Sequence, residues 1–295
     1  MKLKTFICFL MLSSILIAHE YQNNLGDIHS RFILHRGEEQ FRTNIVAQEL
    51  ELAGQSNSNQ YIEYIGKAYG ENGDDADYTK TKSFLLGTNS NLVKHPNVFA
   101  GISLGHMKST LKMDDTHNLI RSYGFDYLIG YKKENTVFIG KLGYTETKNN
   151  LFNHKYRTKN YGVGGEIGYN YFVDTTTVLY PFAGINYTQY TVKGHKGIST
   201  NNQDIFSGLV GLSMIKIFND KFMITAGIDW NMNFKDRKYP VTDSIMKTIE
   251  KNYGQFHINA GYFIDPDFLF TVGYRNLFNK DYNYKVISVG LSHYF

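Results

Sequence analysis

From about Tyr61 onward the chain repeats one unit: roughly ten residues that alternate apolar with small or polar side chains, then a turn or loop. Tyr123, Phe125, Tyr127, Ile129 and Tyr131 share one face of such a stretch, against Gly124, Asp126, Leu128 and Gly130 on the other. Tyr161–Tyr171 and Phe222–Met232 repeat the pattern. A strict period of two places successive side chains on opposite faces of a β-strand. Twelve such segments can be read, near 61–70, 79–89, 98–108, 119–131, 136–147, 157–171, 178–191, 203–217, 222–234, 252–263, 268–278 and 284–295. Each is long enough for a tilted strand to cross a bilayer in about nine to eleven residues. Their number is even, as a closed antiparallel barrel with both ends on one side requires. The predicted fold class is all-β: a twelve-stranded antiparallel transmembrane β-barrel with a short N-terminal helix. A soluble sandwich also alternates, but its strands average about five to six residues and carry more charge on the solvent face.

The connections support this architecture. Short ones at 132–135, 173–176, 219–220 and 265–267 alternate with longer ones at 109–118, 148–156, 192–202 and 235–251. Short turns are expected on the periplasmic side and long loops outside.

The segment ahead of the first strand has a different period. In Glu38 to Ala53, Phe41, Ile45 and Leu52 recur at helical spacing, Glu38 and Glu39 suit a helix N-terminus, and Gly54 can cap the end. A second short helix is predicted over Asp27 to His35, ended by Gly37. Whether this helical segment threads the barrel or rests at its periplasmic mouth is open from sequence alone. Gln55 to Asn59 reads as a polar linker.

Before all of this, Lys2 and Lys4 precede an apolar run from Phe6 to Ala18, which reads as a secretory signal peptide. The expected organisation is a signal peptide at 1–18, a helix and linker segment at 19–59 and the barrel at 60–295. The single cysteine, Cys8, goes with the leader, so disulfides do not hold the mature chain. Composition agrees with many aromatic-tipped strands and few breakers: Tyr 23, Phe 21, Gly 27 and Pro 4. The formal charge of +4 falls to +2 without Lys2 and Lys4, and the basic residues are scattered, so nucleic acid is not an expected partner.

On this register the inward face holds Glu63, Lys67, Asp126, Lys141, Glu166, Asp229, Asn231, His257, Asn259 and Arg275. Cations and carboxylates are mixed, and no ring of one sign implies strong ion selectivity. These positions are expected to line the pore of a solvated lumen, or of one that holds a plug. His257, Asn259 and Ser288 could be assembled on paper into a hydrolase-like set, but no nucleophile–base spacing supports it. Asp74, Asp75 and Asp77 lack the ligand spacing of a calcium loop. No catalytic residue, metal or cofactor is expected.

The ordered combination of a pre-barrel helix, twelve strands and a terminal aromatic resembles the β-domain of bacterial autotransporters (type V secretion). Glycine-rich strands such as Tyr161-Gly162-Val163-Gly164-Gly165-Glu166-Ile167-Gly168-Tyr169, and Pro181-Phe182-Ala183-Gly184-Ile185-Asn186-Tyr187, look like strands of that family. The resemblance covers about residues 60–295. It implies a non-catalytic outer-membrane barrel acting as a pore or display scaffold; the alternative is a passive porin-like channel for small solutes, with a barrel hydrolase or a loop-mediated adhesin behind both. It also implies that the last strand is an insertion signal for the barrel-assembly machinery. The matching positions are Ser288, Gly290, His293 and Phe295; His293 departs from the apolar or aromatic residue usual there. Expected partners are outer-membrane lipid, with the Sec translocon and the assembly machinery in biogenesis, and the barrel is expected to be a monomer. Only Tyr21 to Asn59 would stand before the strands, too little for an adhesin or protease passenger.

Overall fold

A computed structural model describes residues 29–47, 50, 58–71, 79–92, 94–113, 116–151, 154–193, 201–219, 221–235, 237–242, 245–249, 252–278 and 283–295. The predicted leader and the Asp74, Asp75 and Asp77 cluster lie outside these residues. One helix, α1 (29–47), precedes the strands β1 (Ser58–Glu71), β2 (Thr79–Leu92), β3 (His95–Met113), β4 (Thr116–Lys133), β5 (Thr136–Leu151), β6 (His154–Tyr169), β7 (Tyr171–Asp174), β8 (Thr177–Lys193), β9 (Asn201–Phe218), β10 (Phe222–Asn233), β11 (Arg237–Thr242), β12 (Ile245–Ile249), β13 (Asn252–Asp265), β14 (Phe268–Phe278) and β15 (Asn283–Tyr294).

Each barrel strand pairs antiparallel with its neighbours, and β1 closes the ring on β15, from Asn59↔Tyr294 to Glu71↔Asn283. β6 and β7 are two pieces of one strand interrupted at Asn170, and β11 with β12 forms a separate hairpin. Among the described residues the barrel therefore has twelve strands. Closure explains how a chain of mean hydropathy −0.35 can face lipid: backbone groups pair around the ring, so only one side-chain face must be apolar. The outward face is that face, with Tyr127, Ile129, Val163, Ile228 and Val289 all about half exposed.

The ends of the barrel differ. One rim carries tight turns at 134–135, 175–176 and 266–267; the other carries the β11–β12 hairpin. We call these the turn rim and the loop rim. Two loops read from the sequence, 109–118 and 148–156, are instead mostly strand: pairing runs on to Met113↔Thr116 and Leu151↔His154. Polar residues there continue the ladder because backbone pairing beyond the apolar band does not need apolar side chains.

The turns are built by local chemistry. Glu134 and Asn219 adopt the left-handed conformation, at φ 54° and 53°. Asp174 accepts from the Thr176 backbone N–H and hydroxyl, both at 2.7 Å, and from the Thr177 hydroxyl at 3.1 Å. Asp265 likewise accepts from the N–H groups of Asp267 and Phe268 at 2.9 Å. The Thr176 bonds hold the Asp174 carboxyl below its usual range of 3.8, at about 2. A depressed carboxylate stabilises the fold fully above its ordinary value and ceases to do so as the pH falls through the depressed one. Asp174→Ala should therefore lower the thermal midpoint at neutral pH, and the difference from wild type should shrink between about pH 4 and pH 2. A difference that persists unchanged at pH 2 would show that the charge of Asp174 contributes nothing.

Candidate functional site

The lumen is filled by α1. Its N-terminal end lies at the loop rim, where His29 makes hydrogen bonds with the hydroxyls of Ser109 (2.7 Å) and Ser122 (3.1 Å). Its C-terminal end lies toward the turn rim, where Phe41, Ile45, Val46 and Leu50 pack with Phe99, Val137, Val178 and Tyr180. This settles the choice between threading and a mouth position: the helix threads. It is also one helix and not two. Gly37, read as a stop, lies within it because α1 presses there against the wall. A Cβ on Gly37 would come within 2.4 Å of the Ser103 hydroxyl and 2.7 Å of an Asp126 carboxylate oxygen. The wall reciprocates with glycine: a Cβ on Gly105 or Gly124 would meet Ile33, one on Gly143 Leu34, and one on Gly101 or Gly130 Phe41.

Two apolar clusters seal the ends of the plug. Phe32 and Ile33 join Ile65, Met107, Ile120 and Tyr284 near the loop rim, and the Phe41–Leu50 group lies near the turn rim. The inward face thus carries large apolar side chains at both ends, beside small polar ones such as Ser109, Ser122 and Thr147, where only small, polar or charged residues were expected. Charged inward residues concentrate where the helix is charged.

Between the clusters lies an ionic belt. Glu39 takes Arg36 from its own helix and Arg275 from β14, accepts from Asn259 Nδ2 at 3.0 Å, and has His257 Nε2 at 3.6 Å. Arg36 also bonds Glu63 on β1. One turn on, Arg42 Nε donates to both carboxylate oxygens of Glu166 on β6, at 2.9 and 3.1 Å, while its Nη2 reaches Glu38 at 3.3 Å. Lys141 on β5 donates to Glu38 at 2.7 Å, and the Arg42 guanidinium lies 4.3 Å from the centroid of the Phe182 ring. His35 Nε2 and the Tyr253 hydroxyl are 2.7 Å apart. Glu38 and Glu39, read as a helix N-terminus, are mid-helix and bind the wall.

Of the inward positions predicted, Glu63, Lys141, Glu166, His257, Asn259 and Arg275 meet this belt directly. Asp126 accepts from Ser103 at 3.2 Å beside Gly37, and Asp229 accepts from Gln255 at 3.4 Å. Asn231 borders a cavity of about 90 Å³ that remains beside α1, with Asn160, Ser207 and Tyr253. A bulge between Ile65 and Lys67 shifts the register of β1, and the backbone of Lys67 pairs with Ile287.

Arg36 and Arg42 were missed as site residues. The signal available was that Arg31, His35, Glu38 and Arg42 recur at helical spacing and share one face, with Glu39 and Arg36 beside it, so the helix carries a charged stripe that needs partners. His257 faces Glu39, and Asn259 is engaged with Glu39 and Thr225 (2.9 Å), so the paper hydrolase set is part of the plug contact. Among the described residues no cluster of His, Cys, Asp and Glu could hold a metal ion. On the closing strand, Ser288 is buried and inward, and a Cβ on Gly290 would meet the Thr271 hydroxyl at 2.6 Å. His293 stacks on Phe268 at 4.5 Å, and Phe295 is exposed.

The fold, a closed barrel with one helix ahead of its strands, is similar to that of several solved autotransporter domains. The translocator domain of the autotransporter NalP from Neisseria meningitidis superposes with a TM-score of 0.59 at 18% identity, covering 88% of this chain and 96% of that one. The transport unit of AIDA-I from Escherichia coli gives 0.54 at 13% identity, over 88% and 98% of the two chains. The β-domain of the Bordetella autotransporter BrkA gives 0.54 at 11%, over 81% and 100%. No curated sequence matches the chain as a relative. The family model for the autotransporter β-domain matches residues 62–275, from the first strand to the fourteenth. That family is one of outer-membrane barrels, generally without catalysis. The chain belongs to the autotransporter β-domain family.

Proposed function

We propose that this protein resides in the bacterial outer membrane as a translocator-type barrel kept shut by its own helix, presenting whatever is joined ahead of α1 on the outer side. The observation that carries this reading is the direction of α1: His29 lies at the loop rim, the rim that faces outward in barrels of this kind, and the chain re-enters the wall at Ser58 on the turn rim. On this reading residues 1–18 direct export through the Sec translocon and are removed, 19–59 form the plug segment, and 60–295 form the barrel. Ser288, Gly290, His293 and Phe295 serve the assembly machinery as an insertion signal, with Phe268 stacking to supply His293 with the apolar contact that its position calls for. Glu63, Asp126, Lys141, Glu166, Asp229, Asn231, His257, Asn259 and Arg275 line the pore once the helix leaves. The barrel works as a monomer, without cofactor or catalysis.

Planar-bilayer conductance tests the plug. The full chain should conduct little, and deletion of residues 29–50 should give a wide, steady pore. Equal conductance from both proteins, each migrating as a heat-modifiable barrel, would defeat the reading and favour an open solute channel.

A further inference from the structure

The outward face near the loop rim carries a feature visible only in register. Lys82 on β2 pairs with Lys108 on β3, Lys108 with Arg121 on β4, and Arg121 with Lys148 on β5. Lys148 pairs in turn with Arg157 on β6, and Arg157 with Lys193 on β8. All six side chains are exposed. Six adjacent strands therefore place one cation each on a continuous line across the membrane-facing side of the barrel, and because the strands are tilted this line climbs toward the loop rim from Lys82 to Lys193.

Residues directly opposite on an antiparallel pair have Cβ atoms about 4.5–5.5 Å apart, and like charges there are destabilising. Five consecutive like-charge pairs form a costly arrangement unless something anionic lies against them. Among the described residues the acid nearest this row is Glu146, 3.7 Å from Arg157 and 3.9 Å from Lys159 of the next row. One carboxylate shared between two cations leaves the row strongly positive. On the remaining strands, outward positions nearest the loop rim among the described residues include Asp204, Phe234, Asn252, Asn276 and the cation Lys285, so the row of paired cations is concentrated on one side.

The neighbouring rows identify the occupant. Immediately toward the membrane runs an aromatic row, in which the His106 ring lies 5.5 Å from Phe84 and 4.7 Å from Tyr123. The next row adds Phe125–Tyr144 at 5.7 Å and Tyr144–Tyr161 at 4.8 Å. Aromatic girdles mark the interface between hydrocarbon and headgroups. Cations that border the girdle on its loop-rim side lie toward the headgroups, with apolar wall beneath them for acyl chains.

We propose that the row Lys82–Lys108–Arg121–Lys148–Arg157–Lys193 is a binding site for a phosphorylated lipid of the outer leaflet, whose phosphates bridge neighbouring strands while its acyl chains lie on the wall below. Arg and Lys bind phosphate through charge-assisted hydrogen bonds, and a lipid with more than one phosphate satisfies several cations at once. The site is independent of the lumen and of its helix. It rests on the barrel spanning a membrane, which is measured separately in the same experiment.

The test uses the full chain refolded in neutral detergent and titrated with a bis-phosphorylated, hexa-acylated glucosamine disaccharide lipid, with retention read by native mass spectrometry. Wild type should retain the lipid. Removal of three adjacent charges, in the Lys108→Gln, Arg121→Gln, Lys148→Gln variant, should weaken retention on the order of a hundredfold. A turn-rim control, Lys132→Gln, Lys133→Gln, Lys221→Gln, should bind as wild type does. The dephosphorylated lipid should not distinguish wild type from the loop-rim variant. Equal retention by the loop-rim variant in heat-modifiable form, equal binding of the dephosphorylated lipid, or full displacement by inorganic phosphate at lipid concentrations would each overturn the proposal. Wild type that migrates identically boiled and unboiled would overturn the membrane reading, and this site with it.

Discussion

Replacing Glu39 by alanine should release α1 from the lumen and leave the barrel standing. The carboxylate is the counter-charge of both Arg36 and Arg275, each almost wholly buried. Two guanidiniums without it would share what Glu63 provides through Arg36 alone, and removing one partner of a buried ion pair costs about 3–5 kcal/mol. The strand ladder does not depend on Glu39, so the loss falls on the seating of the helix. The variant should migrate as a heat-modifiable barrel, conduct in planar bilayers like the protein lacking residues 29–50, and lose protease protection of α1. Glu39→Gln keeps an acceptor for Asn259 but no charge and should fall between. Unchanged conductance in Glu39→Ala would show that the apolar clusters alone hold the plug.

Gly37→Leu should have a comparable effect through shape instead of charge. Already at Cβ, the substituent would stand 2.4 Å from the Ser103 hydroxyl and 2.7 Å from Asp126, with no room for the further carbons. Overpacking of this kind costs about 1–3 kcal/mol or more, and here it acts where α1 and the β3–β4 wall are closest. Gly37→Ala combines the same first clash with a gain in helix propensity of about 1 kcal/mol, so it should be milder. Ser103→Gly removes the nearer obstacle, and the pair Gly37→Ala, Ser103→Gly should recover part of the loss. A strictly additive double variant would mean that the two positions do not touch in the closed state.

The strand series was legible because each strand is read locally: two faces and a period of two are visible within ten residues or so. The outward residues Tyr123 to Tyr131 and Ile287 to Leu291 lie where that period puts them. The loops at 109–118 and 148–156 misled because polar composition was taken for irregular backbone, although backbone pairing is indifferent to it. The ionic belt was hidden for another reason. Arg42 and Glu166 are 124 residues apart, and Glu39 and Arg275 are 236, so their charges were read as scattered. Gly37 was read by its conformational habit as a helix stop, when its value here is that it lacks a side chain. The cation row shows the same limit: six residues spread over 82–193 become neighbours only once five registers are known.

The two charged features of the barrel should also respond differently to electrolyte. The pairs of Glu39 with Arg36 and Arg275 lie between the two apolar clusters, and their side chains are nearly dry, so mobile ions compete with them poorly. The outer row is bathed by solution, where screening acts over about 10 Å at 0.1 M salt. Salt is therefore a reagent that strips this molecule from the outside only. A concentrated wash would loosen whatever anion coats the wall, while the helix within stays insulated and keeps the passage closed.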